Sequence, residues 1–261
     1  MIKKLVRLIV FINMIQLSAD ATAVTSHRES TKFIIVANAP IAEGSDIEWK
    51  FIDEKRETHK IIALDGAANL FMRSGKNPDV VLGDFDSVEM PSMWGINATF
   101  SAIDDNSLPY MGKHGVIIVP AKNQDLTDLE KAILYCDKNG ATSIDILNAH
   151  GGRMDHELGN YSLLKKYYKK DRPILIRTAS QTLEFVRADV PTPVKIRGKK
   201  KDYCGIVGFP KGKIVTMRGF LYNADSYPLE MLGGSTCNQL SEPEAEIIVV
   251  GEVLVIHPNT I

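Results

Sequence analysis

The stretch Val80-Val81-Leu82-Gly83-Asp84-Phe85-Asp86-Ser87 decides how the chain is read. Its apolar start reads as a buried strand, and Gly83 ends it. Asp84 and Asp86 follow with one residue between them. An extended backbone past the glycine would point both carboxylates to the same side. Two neighbouring carboxylates repel, and each raises the other's pKa unless a cation lies between them. Mg²⁺ suits such a place, because it takes carboxylate oxygens and shares its other positions with substrate phosphates. A single Asp-x-Asp after a strand is more often a solvated loop, so its recurrence elsewhere matters.

Upstream, Phe33-Ile34-Ile35-Val36-Ala37 and Lys60-Ile61-Ile62-Ala63-Leu64 are apolar runs of the kind found in strands covered on both faces. The second runs into Asp65-Gly66 and then a helix, stopped by Gly75. Residues from Ser45 to about Glu57 are expected to be helical, and residues 88–112 to mix helix and loop. Downstream, Gly115 to Val119 is a strand ended by Pro120. Thr127 with Glu130 is a capping box opening a helix whose apolar face is Leu129, Ala132, Ile133 and Cys136. Ser143 to Leu147 is another strand, followed by a helix from about Asp155 to Tyr168.

Strand and helix alternating in this way predict a parallel sheet covered on both faces. Ligands of such sheets bind beyond the carboxyl ends of the strands. Asp65 lies at one such end, Asp84 and Asp86 at a second, Gln124, Asp125 and Asp128 at a third, and Arg153 and Asp155 at a fourth. Acids at four strand ends argue for one shared site. No G-x-x-x-x-G-K-[ST] or G-x-G-x-x-G motif occurs. Several carboxylates with few lysines repel a polyphosphate unless Mg²⁺ intervenes. The residues therefore predict a Mg²⁺-dependent nucleotide or phosphate enzyme.

After Lys170 the texture changes to short strand-like runs separated by turns such as Pro210-Lys211-Gly212, with Lys199-Lys200-Lys201 a solvated turn. This predicts an antiparallel sandwich or barrel. The expected division is an apolar extension over residues 1–30, an α/β domain over 31–175 and a β-rich domain over 176–261.

The chain has 261 residues, 44% apolar and 24% charged, enough for one large or two modest domains. Its formal charge of −1 excludes a whole-chain field drawing in nucleic acid or an acidic membrane. Cys136, Cys204 and Cys237 show neither metal-ligand spacing nor a disulfide framework. Met1 to Ala23 has the form of a secretory signal, with Lys3, Lys4 and Arg7 before an apolar run and then A-x-A sites. The scattered cysteines fit a reducing compartment, so the expectation is a cytoplasmic protein whose segment is uncleaved or an artefact of the start site.

Asp65-Gly66-Ala67-Ala68-Asn69, Gly83-Asp84-Phe85-Asp86-Ser87, Gln124-Asp125-Leu126-Thr127-Asp128 and Gly152-Arg153-Met154-Asp155-His156 with Asn160 resemble, in order and spacing, the motifs of the thiamine pyrophosphokinase family. Gly219 to Tyr222 and Gly234 to Asn238 are similar to elements of its thiamine-binding β domain. Two positions depart from the family pattern: Ala67 replaces a glycine, and Cys237 stands where serine is common.

The resemblance implies a Rossmann-like catalytic domain, and pyrophosphoryl transfer from ATP to the hydroxyl of thiamine, giving AMP and thiamine diphosphate. It implies that Asp84, Asp86 and Asp128 hold Mg²⁺ and that Arg153 and Asp155 line the same cleft. Asp65, Gln124, Asp125, Thr127 and Asn160 are its expected nucleotide-side contacts, and Ser235 and Asn238 its thiamine contacts, across the interface of a homodimer. It names no general base. Alternatives are a pyrophosphokinase of another alcohol, such as a pterin, and a non-catalytic thiamine- or nucleotide-binding regulator.

Overall fold

A computed structural model describes residues 31–40, 49–96 and 108–259. The signal-like segment and the start of the helix expected from Ser45 lie outside these residues. The first half consists of β1 (Thr31–Val36), α1 (Trp49–Lys55), β2 (His59–Leu64), α2 (Ala67–Ser74), β3 (Val80–Gly83), α3 (Pro91–Trp94), β4 (Tyr110–Met111) and β5 (Ile117–Pro120). Then come α4 (Asp128–Lys138), β6 (Ala141–Leu147), α5 (Met154–Lys166) and β7 (Ile174–Arg177). The last third is β8 (Gln181–Arg197), β9 (Tyr203–Arg218), β10 (Ala224–Leu229), β11 (Gly234–Gln239) and β12 (Glu244–Pro258).

The strands join in the order β10-β9-β12-β8-β7-β6-β1-β2-β3-β5-β4, with β11 against β9. From β7 to β5 every pairing is parallel, as the continuous apolar runs predict. Alternate residues serve the two faces. Ile35, Ile62, Leu82 and Ile146 pack with Leu129 and Ile133 of α4 and Leu163 of α5. Ile34, Ile61, Ala63 and Val81 pack with Ile52 of α1 and Phe71 of α2. Each large side chain so buried contributes about 1.5–3 kcal/mol, which fixes the strand ends in space. Among the described residues no helix is long and apolar enough to cross a membrane.

The antiparallel part differs from the expected set of short strands. Pro210-Lys211-Gly212 is not a turn; β9 runs straight through it. Between Gly208, paired with Val253, and Gly212, paired with Gly251, the ladder is interrupted. Proline, which has no N–H to give, is tolerated in that irregularity. Pro191 and Pro193 likewise lie within β8, beyond the short length paired with β7 and therefore on an open edge. The capping box at α4 is one-sided. Thr127 Oγ1 accepts from the Glu130 N–H at 3.2 Å, but the Glu130 carboxylate is taken by Lys166 and Tyr167.

Candidate active site

β6 and β2 flank β1 on opposite sides, so the connections reverse there and a crevice opens at the carboxyl edge. A cleft of about 810 Å³ occupies this edge. It is lined from the ends of β1, β2, β3, β5 and β6, including Asn38, Asp65, Asp84, Asp128, Asn148 and Arg153. Three of these strands end in a residue other than glycine with positive φ: Asp65 (42°), Phe85 (65°) and Asn148 (53°). Such conformations cost energy and gather where a site over-determines them.

Asp84 and Asp86 do come together, but by a different route from the extended one expected. Phe85 is buried and left-handed, so the chain turns between them. Asp65, reaching in from β2, joins them. One carboxylate oxygen from each of Asp65, Asp84 and Asp86 lies within 4.8 Å of the others. Carboxylate oxygens converging from three residues are the hard donors that a divalent cation such as Mg²⁺ takes. Burial pushes the Asp65 carboxyl up from its ordinary pKa, the nearby Asp86 charge adds to this, and hydrogen bonds from Ser87 oppose it. A cation would relieve that buried charge, a second sign that the residues fit a metal.

Asp128 is placed differently from its expected partners in the metal set. Its Oδ1 lies 2.9 Å from Lys131 Nζ, and Lys131 also donates to Ala121 O at 2.8 Å. Burial raises the Asp128 pKa, with the Asp84 and Asp86 charges adding to it and Lys131 opposing. Asp128 therefore feels the cluster without being in it. Gln124 Nε2 donates to Asp84 Oδ2 at 3.1 Å, which orients that carboxylate. Asp125 is exposed on the cleft wall, and Thr127 lines it while capping α4.

At the opposite end, Arg153 lines the cleft but Asp155 does not. The Asp155 carboxylate takes two donors from Arg153, at 3.1 and 2.6 Å, and the guanidinium holds its pKa down at about 2. Its place is behind the arginine, a correction to the expected lining role. Asn160 Nδ2 donates to Ala149 O at 2.8 Å, so it fastens the loop before α5. In that loop Gly152 has φ 86°, and a Cβ there would meet Pro40 Cδ at 2.6 Å. The β6–α5 connection thus lies directly on the end of β1.

Ser235 and Asn238 are not brought into this cleft. Asn238 is buried, and its amide is spent on the chain itself. Its Nδ2 donates to Tyr222 O at 2.8 Å, and its Oδ1 accepts from the Tyr222 N–H at 3.1 Å. Ser235 Oγ is 3.3 Å from the same amide. Ala67 is fully buried in the core, so the methyl group that departs from the family pattern is accommodated there. Cys237 is exposed with φ 59° in β11.

Asn38, Lys131, Asn148, His156 and Glu157 also line the cleft, and no role for them follows from the sequence patterns above. Asn148 bridges the strand ends, donating to Ala37 O and Ala39 O at 2.8 and 2.9 Å. One signal was available: Lys131 lies three residues after Asp128 on a helix, the spacing of facing side chains.

A parallel-sheet domain with an acid-lined cleft at its carboxyl edge, continued by an antiparallel β domain, is the class of protein that the described residues define. Two family models match the chain. One, described as the catalytic domain of thiamin pyrophosphokinase, covers residues 53–176, and the other, its vitamin B1 binding domain, covers residues 192–254. The chain belongs to the thiamin pyrophosphokinase family of enzymes. Thiamine pyrophosphokinase 3 of Oryza sativa is 26% identical over 203 residues, 72% of this chain and 70% of the relative. Thiamin pyrophosphokinase 1 of Caenorhabditis elegans is 26% identical over 65% of this chain and 66% of its own length. Solved structures share the fold. That of the Bacillus subtilis thiamine pyrophosphokinase superposes with TM-score 0.66 at 21% identity, over 88% of this chain and all of the other. The Candida albicans structure gives 0.63 at 19% identity, over 90% and 91%.

Proposed function

We propose that the chain transfers a pyrophosphoryl group from ATP to the hydroxyl of thiamine. The observation that carries this reading is the meeting of Asp65, Asp84 and Asp86 in a cleft at the carboxyl edge of the parallel sheet, in a chain of this family. Residues 31–175 serve ATP and residues 176–261 serve thiamine. Asp65, Asp84 and Asp86 hold Mg²⁺, with Asp128 beside them. The ion, when bound, neutralises charge on the phosphate oxygens. The thiamine hydroxyl oxygen bonds to the β-phosphorus, and the bond from that phosphorus to the α,β-bridging oxygen breaks. AMP leaves with that oxygen, and the hydroxyl proton passes to solvent.

Gln124 keeps Asp84 in place, and Arg153 presents a guanidinium at the other wall for phosphate oxygens. The chain works as a homodimer with the active site at the interface, where the β half brings thiamine to the cleft, and the reaction belongs in the cytoplasm, where ATP is held. The test is AMP release from ATP by the full chain, with and without thiamine and Mg²⁺. AMP and thiamine diphosphate appearing together, only when both are present, is the expected result. AMP formed equally without thiamine, or preference for a pterin alcohol, would overturn it.

A further inference from the structure

Lys131 has a role the reading above leaves open. Its side chain is 8% exposed, yet it lines the cleft. An ammonium so placed is costly unless its donors are used. It has three N–H groups. Asp128 Oδ1 and Ala121 O take two of them. Ala121 is itself tied to β3 by its N–H to Gly83 O at 2.9 Å, so the ammonium is held from two directions beside the Asp84 strand end.

Among the described residues lining the cleft, Lys131 and Arg153 are the two permanent cations. Arg153 follows β6 and Lys131 follows β5, four strand positions apart along the edge. At the usual spacing the two strand ends lie about 19 Å apart, so the two long side chains face the cleft from its opposite ends. Lys131 is therefore the cation at the acidic end, where the far phosphates would lie. A simple counter-ion to Asp128 needs no face on the cleft, whereas a phosphate donor does.

We infer that the third N–H of Lys131 donates to a β- or γ-phosphate oxygen of the bound nucleotide. The inference rests on the ATP reading. The test is calorimetry on the full chain with Mg²⁺, using α,β-methylene-ATP, which lacks the scissile oxygen, and AMP, which lacks the outer phosphates. Lys131→Met should weaken the analogue about tenfold or more, while AMP binding stays within about a factor of two. Lys131→Arg should recover part of the loss. In an Asp128→Asn background the Lys131→Met loss should persist.

Analogue binding unchanged by Lys131→Met would overturn the assignment while leaving the ATP reading intact. So would a loss that vanishes in the Asp128→Asn background, since the lysine would then act only through that acid. Equal loss of AMP and analogue in Lys131→Met, Lys131→Arg and Lys131→Gln would overturn it too, by making the residue structural. No analogue binding by the unsubstituted chain would sink the ATP reading and this assignment with it.

Discussion

Gly83 lies against Asp65 so closely that a methyl group on it would sit 3.0 Å from the Asp65 Cβ. Its φ of 155° is also one that side chains rarely adopt. The glycine that ends β3 is therefore what lets Asp65 reach Asp84 and Asp86. Gly83→Ala should cost about 1–3 kcal/mol in urea unfolding from backbone strain. It should also separate the three carboxylates, so that Mg²⁺ binding by calorimetry weakens beyond what the stability loss explains. Unaltered Mg²⁺ binding in a folded variant would refute this link.

The raised pKa values of Asp65 and Asp128 give a pH dependence with a definite sign. Each carboxyl keeps its proton in the folded chain at pH values where the unfolded chain has lost it. The resulting stability is full below the ordinary value of 3.8 and disappears as pH rises through the raised folded values. Without metal, the Tm of the native chain relative to Asp65→Asn should therefore fall as pH rises from 4 towards neutrality. Carboxylates elsewhere with lowered values, such as Glu157 and Glu252, act in the opposite sense but equally in both proteins. Mg²⁺ at pH 7 should raise the Tm of the native chain and raise that of Asp65→Asn less. A flat difference between the two proteins would show that Asp65 ionises freely.

Substitution of the acids should separate metal holding from charge balance. Asp84→Asn removes a carboxylate of the three-oxygen cluster and should lower thiamine-dependent AMP formation about 100-fold or more. Asp128→Asn leaves that cluster whole and strips Lys131 of its ionised partner. It should cost most of kcat while Mg²⁺ binding in the absence of nucleotide changes little. Full activity in either variant would contradict the site.

The parallel sheet was legible because burial on both faces leaves a signature within each strand. Phe33 to Ala37 and Lys60 to Leu64 carry it, and β1 and β2 match them within two residues at either end. The positions of the acids at strand ends were legible for the same reason. Their partnership was not. Whether Asp65 or Asp128 joins Asp84 and Asp86 depends on strand order and on a left-handed Phe85, neither of which any local pattern fixes. In the β half, Pro210 reads as a turn because proline usually interrupts a ladder. Here the interruption is a local irregularity within a 16-residue strand, permitted by pairing with β12, a long-range fact.

Asn238 shows the same limit at the thiamine end. Motif resemblance makes it a ligand contact, whereas its amide is occupied by both backbone groups of Tyr222. Those two bonds pin the segment from Gly219 to Asn223, on which Leu221 and Tyr222 are exposed. Asn238→Ala deletes both bonds, each worth about 0.5–1.5 kcal/mol net, a loss of about 1–3 kcal/mol in urea unfolding. Freed of its anchor, the segment samples more conformations, and a ligand that needs one of them binds more weakly in proportion. The expected kinetic signature is a raised KM for thiamine with the KM for ATP unchanged, because the ATP cleft lies on other elements. Asn238→Asp keeps the acceptor for the Tyr222 N–H but turns a buried carboxylate oxygen toward Tyr222 O, so at neutral pH it should be at least as destabilising as Asn238→Ala. A direct contact with thiamine would instead raise KM in Asn238→Ala without any loss of stability, and that result would restore the ligand role.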